Sequence, residues 1–467
     1  MKRDLSLFIC FIYILIFVAC GRNTVPIESD SESEIFESYE EKSEISFESS
    51  ESSEFFLDIA VDLLPLFKSF DDPDECDKAN DFLNFIYDEF GEAALRGIYQ
   101  EMKSDGYSDE IWIRHTGNSI HVLRSLFLNE QGTLSNYKIK SLGEIDSDKK
   151  TVLTFGGDIC FGDNYATMPY LQRKGGELNY CIKQEWIDLM QSADVAMLNN
   201  EFSISDRGSP MKHKLYTYVA KTTHTKYYNE MGVDYVTLAN NHVFDYGEDA
   251  FFDTLSTLDE YGIAYSGAGK NASDAQKPYY FIVNGRKIAY ISATRAEKHI
   301  LTPEATADSP GVFRCYDNER LLEVIEETKR NCDYVIVLVH WGTEYSAKLE
   351  KVQREGAHQY IDAGADLIVG THAHQLQGIE FYKGKAIFYN LGNFWFNAKP
   401  IETGLLKLEL GSDGSEEFYF LPGMQEGCKV SFLSGTAKGR EILDRLASYE
   451  KGIVIGDDGR VLPSADE

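Results

Sequence analysis

The chain carries too little basic charge to grip nucleic acid. Lys and Arg number 45 against 76 Asp and Glu, a formal net charge of -31 over 467 residues. A protein that binds a polyphosphate backbone needs a basic stripe to displace counterions, and this composition lacks one. Cysteines in metal-type spacing are also missing. Of the eight cysteines, Cys10 and Cys20 lie in the first twenty residues. Cys76, Cys160, Cys181, Cys315, Cys332 and Cys428 are scattered, which excludes a zinc ribbon and predicts no particular disulfide pairing. Buried free thiols are the expectation for most of them. No internal repeat is present, and the apolar run Leu5 to Ala19 is too short for a comfortable bilayer span. What remains is a 43% hydrophobic, globular composition, long enough for two to three modules of roughly 150 residues.

Lys2 and Arg3 ahead of that apolar run, then Cys20-Gly21, read as a bacterial export signal over residues 1–20. Phe17-Val18-Ala19-Cys20 looks like a lipobox with Phe17 in place of the usual Leu. Cleavage before Cys20 and diacylglycerol on its sulfur would give a lipid-anchored protein on the extracytoplasmic face of the cell membrane. An uncleaved anchor is the alternative and leads to the same side. Residues 21–54 are rich in Ser and Glu, with Lys42 alone against a run of acidic side chains from Glu28 to Glu54. Such a segment cannot bury a core and reads as a disordered, self-repelling tether.

A small helical module is expected over 55–140. Phe82, Phe85, Ile86 and Phe90, then Leu95, Ile98 and Met102, recur at helical spacing, with Asp81 near a start and Gly91 and Gly106 as breaks. His115 and His121 are six residues apart, which fits no metal-binding helix, so packing is expected of them. From Thr151 the pattern becomes strand, turn, helix. Apolar runs at 151–155, 193–198, 233–239, 263–266, 279–283, 287–292, 333–339, 366–370 and 386–391 alternate with helical stretches near 182–192, 248–261, 318–331 and 350–363. Asn284-Gly285 marks a hairpin. The class is α/β: a mixed sheet, divided into two packed sheets, with helices outside. Residues 401–467 read as closing strands and a helix packed on this domain.

Five of the apolar runs end in ligand types. Phe155 leads into Gly156-Gly157-Asp158, Leu198 into Asn199-Asn200-Glu201, and Leu238 towards Asn240-Asn241-His242. Val339 delivers His340-Trp341-Gly342, and Val369 delivers Gly370-Thr371-His372-Ala373-His374. Ligands in open α/β sheets bind at the carboxyl ends of strands. Carboxylates mixed with imidazoles suit zinc, manganese or iron rather than calcium. Asp158, Glu201, Asn241, His340, His372 and His374 are therefore the expected metal ligands, in a site for hydrolysing an ester or amide. An acidic side chain can bridge two divalent ions, and a water activated between them becomes a nucleophile near neutral pH. His242 is the candidate general acid, oriented by Asp245 three residues on. Arg207, Lys212, His213 and Lys214 could bind a substrate carboxylate or phosphate. Tyr345, Asn393 and Phe394 are expected to line the pocket, Asp163 and Asn164 to support the first metal loop, and Glu344 to orient an imidazole.

The segments "FGGDICFGD", "ADVAMLNNEFSIS", "GVDYVTLANNHVFDYG", "VLVHWGTEY" and "GADLIVGTHAHQLQGIEFYKGKAIFYNLGNFWF" resemble the CapA family, named for poly-γ-glutamate capsule biosynthesis. The resemblance covers about 151–400. That family is similar to calcineurin-like metallophosphoesterases, which implies a four-layer α-β-β-α sandwich. It also implies that Asp158 and His374 serve a first ion, that Asn241, His340 and His372 serve a second, and that Glu201 bridges. Metallophosphoesterases typically place a His two residues after the first Asp; this chain has Cys160 there, read as a packed thiol, which weakens the Asp158–His374 half. The bridging Asp is replaced by Glu201. The implied partner is an anionic cell-surface polymer such as poly-γ-glutamate, with capsule synthase subunits. The alternatives are a phosphoesterase acting on extracytoplasmic phosphoesters and a non-catalytic polymer-binding scaffold.

Overall fold

The computed structural model describes residues 73–105, 108–130, 137–142, 149–297 and 301–464. The expected signal segment 1–20, the tether 21–54 and residues 55–72 lie outside the described residues. The chain divides into two units at Leu83 and Asn84. Of the first, only residues 73–83 are described, as the start of the helix Pro73–Asp105. All that follows concerns the second unit.

That helix is interrupted at Gly91, whose φ of 80° is open to a residue without Cβ. The helix Asp109–Thr116 starts where Ser108 Oγ accepts from Glu110 N at 3.3 Å, and it stops at Gly117 in the left-handed region. Ile120–Glu130 follows. His115 donates to Glu101 at 2.8 Å, a surface packing role. Among the described residues no helix is long and apolar enough to cross a membrane.

Each apolar run of the α/β region becomes a strand. One sheet has seven strands, ordered Tyr137–Ile139, Tyr279–Val283, Arg286–Thr294, Tyr334–Trp341, Leu367–His372, Lys385–Phe388 and Ile379–Tyr382. Its four middle strands from Arg286 to Phe388 run parallel. The hairpin at Asn284-Gly285, both with positive φ, joins the antiparallel pair beside them. The second sheet places Thr151–Ile159, Val195–Asn200, Tyr235–Thr237 and Ala264–Ser266 in parallel, then Ile401–Leu410 and Glu416–Glu426 antiparallel on the other side of Thr151–Ile159.

Period-2 alternation sorts the side chains into layers. Leu153, Phe155, Val195 and Met197 of one sheet pack with Tyr290, Ile336, Leu338, Leu367 and Val369 of the other. Their strand neighbours point outward. Ala196 and Leu198 meet the helices Gln184–Ser192 and Glu248–Glu260, while Val335, Val337 and Val339 meet Glu319–Lys329 and Lys351–Asp362. The result is the expected four-layer sandwich. Each large apolar side chain buried this way contributes about 1.5–3 kcal/mol, and strands covered on both faces read as the unbroken apolar runs seen here.

Candidate metal centre

Parallel strands end at one rim, and the register sets which side chains meet there. Asp158 pairs with Asn199 on one side and Asn393 on the other. A β-bulge between Phe155 and Asp158 re-aims the strand end. Gly157 lets the strand approach its neighbour closely: a Cβ there would lie 1.8 Å from Gly392 O, and Asp158 N donates to that same carbonyl at 2.9 Å. In the facing sheet His340 pairs with Thr371 and Trp341 with His372. His372 and His374 have φ of 93° and 54°, conformations that cost side-chain-bearing residues energy and that persist where the surroundings enforce them.

Two trios of donor atoms result, each within 4.8 Å: Glu201, His340 and His372, and Asp158, Glu201 and His374. Both draw on both sheets, and Glu201 belongs to each. His340 Nε2 lies 3.5 Å from Glu201 Oε1, and His374 Nε2 lies 4.0 Å from the same oxygen. Two donors each about 2.1 Å from one ion stand about 3.0–3.4 Å apart, so the first spacing is close to that of shared ligands. Asn241 Oδ1, 2.8 Å from His340 Nε2, joins the first trio.

The residues fit a metal on a further count. Both carboxylate oxygens of Glu201 are buried without a hydrogen-bond partner, as is His372 Nδ1. Unsatisfied buried acceptors are costly, and a cation among them would remove the cost. Burial, reinforced by the charge of Asp158, pushes the Glu201 carboxyl well above its usual range. Burial pushes the His340 imidazole down to about 3 against the pull of Asp158. It also lowers His372, aided by the charges of His340 and His374. Neutral imidazoles are the metal-binding form. In the other trio, burial favours neutral Asp158 and neutral His374, yet their mutual pairing outweighs it, lowering the acid and raising the base. A cation taken up at that half competes with the pairing of His374 and Asp158.

Asn residues that sequence reasoning left without a role hold these ligands in place. Asn199 donates to Asp158 Oδ1 at 2.7 Å and approaches His340 Nδ1 at 3.3 Å. Thr371 Oγ1 lies 2.9 Å from the same nitrogen. Asn240 donates to Asn199 Oδ1, and its own Oδ1 accepts from His242 N and Val243 N, which shapes the turn carrying Asn241. The available signal was position: Asn199 and Asn240 stand where an apolar run stops.

Other expected residues distribute unevenly. His242 Nδ1 donates to Asp245 Oδ2 at 2.7 Å, the pairing expected for an oriented imidazole. Burial lowers the His242 pKa although Asp245 opposes it. Tyr345 lies at the rim with its ring 5.6 Å from that of His374. Asn393, expected to meet substrate, is instead fully buried and sits 2.8 Å from His374 Nδ1, so it orients that ring. Arg207 is turned to the helix Glu248–Glu260 by a two-pronged pair with Asp253 at 2.8 and 2.9 Å. Lys212 is exposed on the same loop, Asp163 accepts from Lys221 N at 2.9 Å, and Glu344 is exposed at the rim. Cys160 is fully buried among apolar side chains, its Sγ accepting from Gly162 N at 3.4 Å, and burial raises its thiol pKa. It belongs to neither trio. Among the described residues the cysteines Cys160, Cys181, Cys315, Cys332 and Cys428 are free and buried.

Residues 152–398 match the family described as bacterial capsule synthesis protein PGA_cap. The chain is 35% identical over 240 residues to the capsule biosynthesis protein CapA of Bacillus anthracis, covering 50% of this chain and 58% of that protein. It is 37% identical over 201 residues to the PGA biosynthesis protein CapA of Bacillus subtilis (strain 168), covering 42% and 52%. The chain therefore spans little more than half the length of these relatives. Among solved structures it is similar to Haemophilus influenzae NAD nucleotidase (NadN), at 15% identity and a TM-score of 0.34 over 66% of this chain and 64% of that one. A likeness that faint carries no functional weight.

Proposed function

Because this chain belongs to the bacterial capsule synthesis protein PGA_cap family, we propose that it is a metal-dependent hydrolase serving the synthesis, export or processing of an anionic capsule polymer of the poly-γ-glutamate type. The observation that carries this reading is Glu201: a buried carboxylate without hydrogen-bond partners, common to two donor trios. The names of the Bacillus relatives support the polymer class.

In this reading His340, His372, Asn241 and Glu201 hold one divalent ion, and Asp158, His374 and Glu201 hold a second, weaker one. Manganese, zinc or iron suits the donor set. The bound ions would polarise the scissile carbonyl or phosphoryl group and supply an activated water. The chain's own residues do the rest. Asn199, Thr371 and Asn393 orient the imidazoles. His242, its Nδ1–H fixed on Asp245, keeps Nε2 free to take a proton from the attacking water and return it to the leaving group. The lipobox Phe17 to Cys20 and the Ser/Glu tether would hold this domain outside the cell membrane, near capsule synthase subunits. Loss of lipid labelling in Cys20→Ala would test that placement.

The catalytic test uses the full chain, stripped and reloaded with manganese, zinc or iron. Bound ions are counted, and hydrolysis of γ-linked polyglutamate is compared with that of a phosphodiester analogue. Metal-dependent cleavage of the polymer, lost in His372→Ala, is expected. Cleavage of the phosphodiester alone would move the reading to a phosphoesterase. Less than one bound ion, with neither substrate cut, would leave a polymer-binding scaffold.

A further inference from the structure

Lys214 is a cation buried beside the metal centre. Its side chain is 6% exposed, and Nζ lies 2.8 Å from Asp245 Oδ1 and 3.0 Å from Glu297 Oε1. It also donates to the main-chain carbonyl of Asn241, which takes a second hydrogen bond from Thr302 Oγ1 at 2.7 Å. These partners come from different parts of the fold. Asn241 and Asp245 follow the strand Tyr235–Thr237 of one sheet, whereas Glu297 and Thr302 follow Arg286–Thr294 of the other. Glu297 is fixed in turn: its Oε2 accepts from Thr302 N at 2.9 Å, with Arg314 3.8 Å away. The Asp245 oxygen not bonded to Lys214 accepts from His242 Nδ1 and Tyr218 N, each at 2.7 Å.

Such an ammonium is not available to a substrate anion, since two carboxylates and a carbonyl already surround it. We propose that Lys214 is a positioning residue. It fixes the main chain of Asn241, so that Oδ1 stays beside His340 Nε2, and it fixes Asp245, so that His242 keeps its orientation. Arginine can preserve the charge at this point; an apolar side chain leaves Asp245 and Glu297 unpaired. The proposal rests on the metal-dependent reading above, but ion affinity tests it separately from turnover.

The experiment measures zinc or manganese affinity of the full chain by chelator competition for Lys214→Met, Lys214→Arg, Asn241→Ala and the double variant Lys214→Met/Asn241→Ala. Outer residues that orient metal ligands typically change affinity about 10–100-fold. Lys214→Met should fall in that range and Lys214→Arg should recover most of it. The double variant should be no weaker than Asn241→Ala alone, because the two act through one ligand. On any substrate the wild type cleaves, Lys214→Met should lower kcat while leaving KM within about threefold. Wild-type affinity in Lys214→Met, or losses that multiply in the double variant, would overturn the proposal. A wild type that binds metal but cleaves nothing would sink the hydrolase reading and leave the affinity result to decide this one. If Lys214→Met fails to fold, Thr302→Val removes the other donor to the Asn241 carbonyl and should give a smaller loss in the same direction; an unchanged affinity there would also count against the proposal.

Discussion

The Glu201 carboxylate and the His340 imidazole face each other across the two sheets at 3.5 Å, and both side chains are fully buried. With no hydrogen bond to either Glu201 oxygen, the metal-free protein holds an expensive acid at its centre. Glu201→Gln should therefore stabilise the stripped chain by about 1–3 kcal/mol at neutral pH while abolishing the stabilisation that added metal brings. Urea denaturation with and without a chelator measures both. A variant that keeps the wild-type ion count would contradict the shared role of Glu201.

Cys160 separates a thiolate ligand from a packed thiol. Buried as it is, Cys160→Ala should cost about 1–2 kcal/mol through the small cavity it leaves and should leave the bound-ion count unchanged. Elemental analysis beside a melting curve decides; an ion lost with the sulfur would make it a ligand after all.

Gly157→Ala tests the close approach that sets Asp158 against the Gly392 loop. The added methyl group would lie 1.8 Å from Gly392 O, a backbone atom that cannot swing aside. We expect a loss of about 3 kcal/mol or more and weaker binding at the Asp158, Glu201 and His374 trio. Wild-type stability in this variant would show that the loop at Gly392 yields freely.

Asp333 gives stability a pH dependence away from the metal centre. It is partly buried and accepts from Ser119 Oγ and Lys287 N, each at 2.6 Å, yet desolvation keeps its carboxyl above the usual range while the charge of His121, the hydrogen bond from Ser119 and the charge of Arg286 pull the other way. An acid that binds its proton more tightly when folded contributes stability fully below its unfolded value of about 3.9. That contribution is lost as pH rises through the folded value. Asp333→Asn, which keeps an acceptor oxygen for both donors, should flatten this part of the decline. Denaturation midpoints measured from pH 4 to 8 in both proteins provide the comparison; parallel curves would remove Asp333 as the source.

The strand ends were legible because each buried parallel strand is an apolar run that stops at the rim. Asp158, Glu201, His340 and His372 stand at those stops, and the fold brings them together. Lys212 and Lys214 read alike in the sequence, since nothing in a loop of charges says which one folds inward; the carboxylates that select Lys214 come from Asp245 and Glu297, distant in sequence. Asn393 read as pocket lining because it follows an apolar run, and only the register with Asp158 turns it towards His374. The left-handed backbone at His372 and His374 leaves no trace in composition, because neither position is a glycine.

Each donor trio takes members from both sheets, so an ion held there is also a rivet between two layers, added to their apolar packing and to polar links such as Asn241 to His340, Ser292 to Thr237 and the Lys214 bridge. Sliding one sheet against the other would pull His340 and His372 away from Glu201. Affinity for the ion and resistance to interlayer shear are then the same property, and a substitution deep in the apolar seam, far from any ligand, can loosen the grip on metal by letting the layers slip.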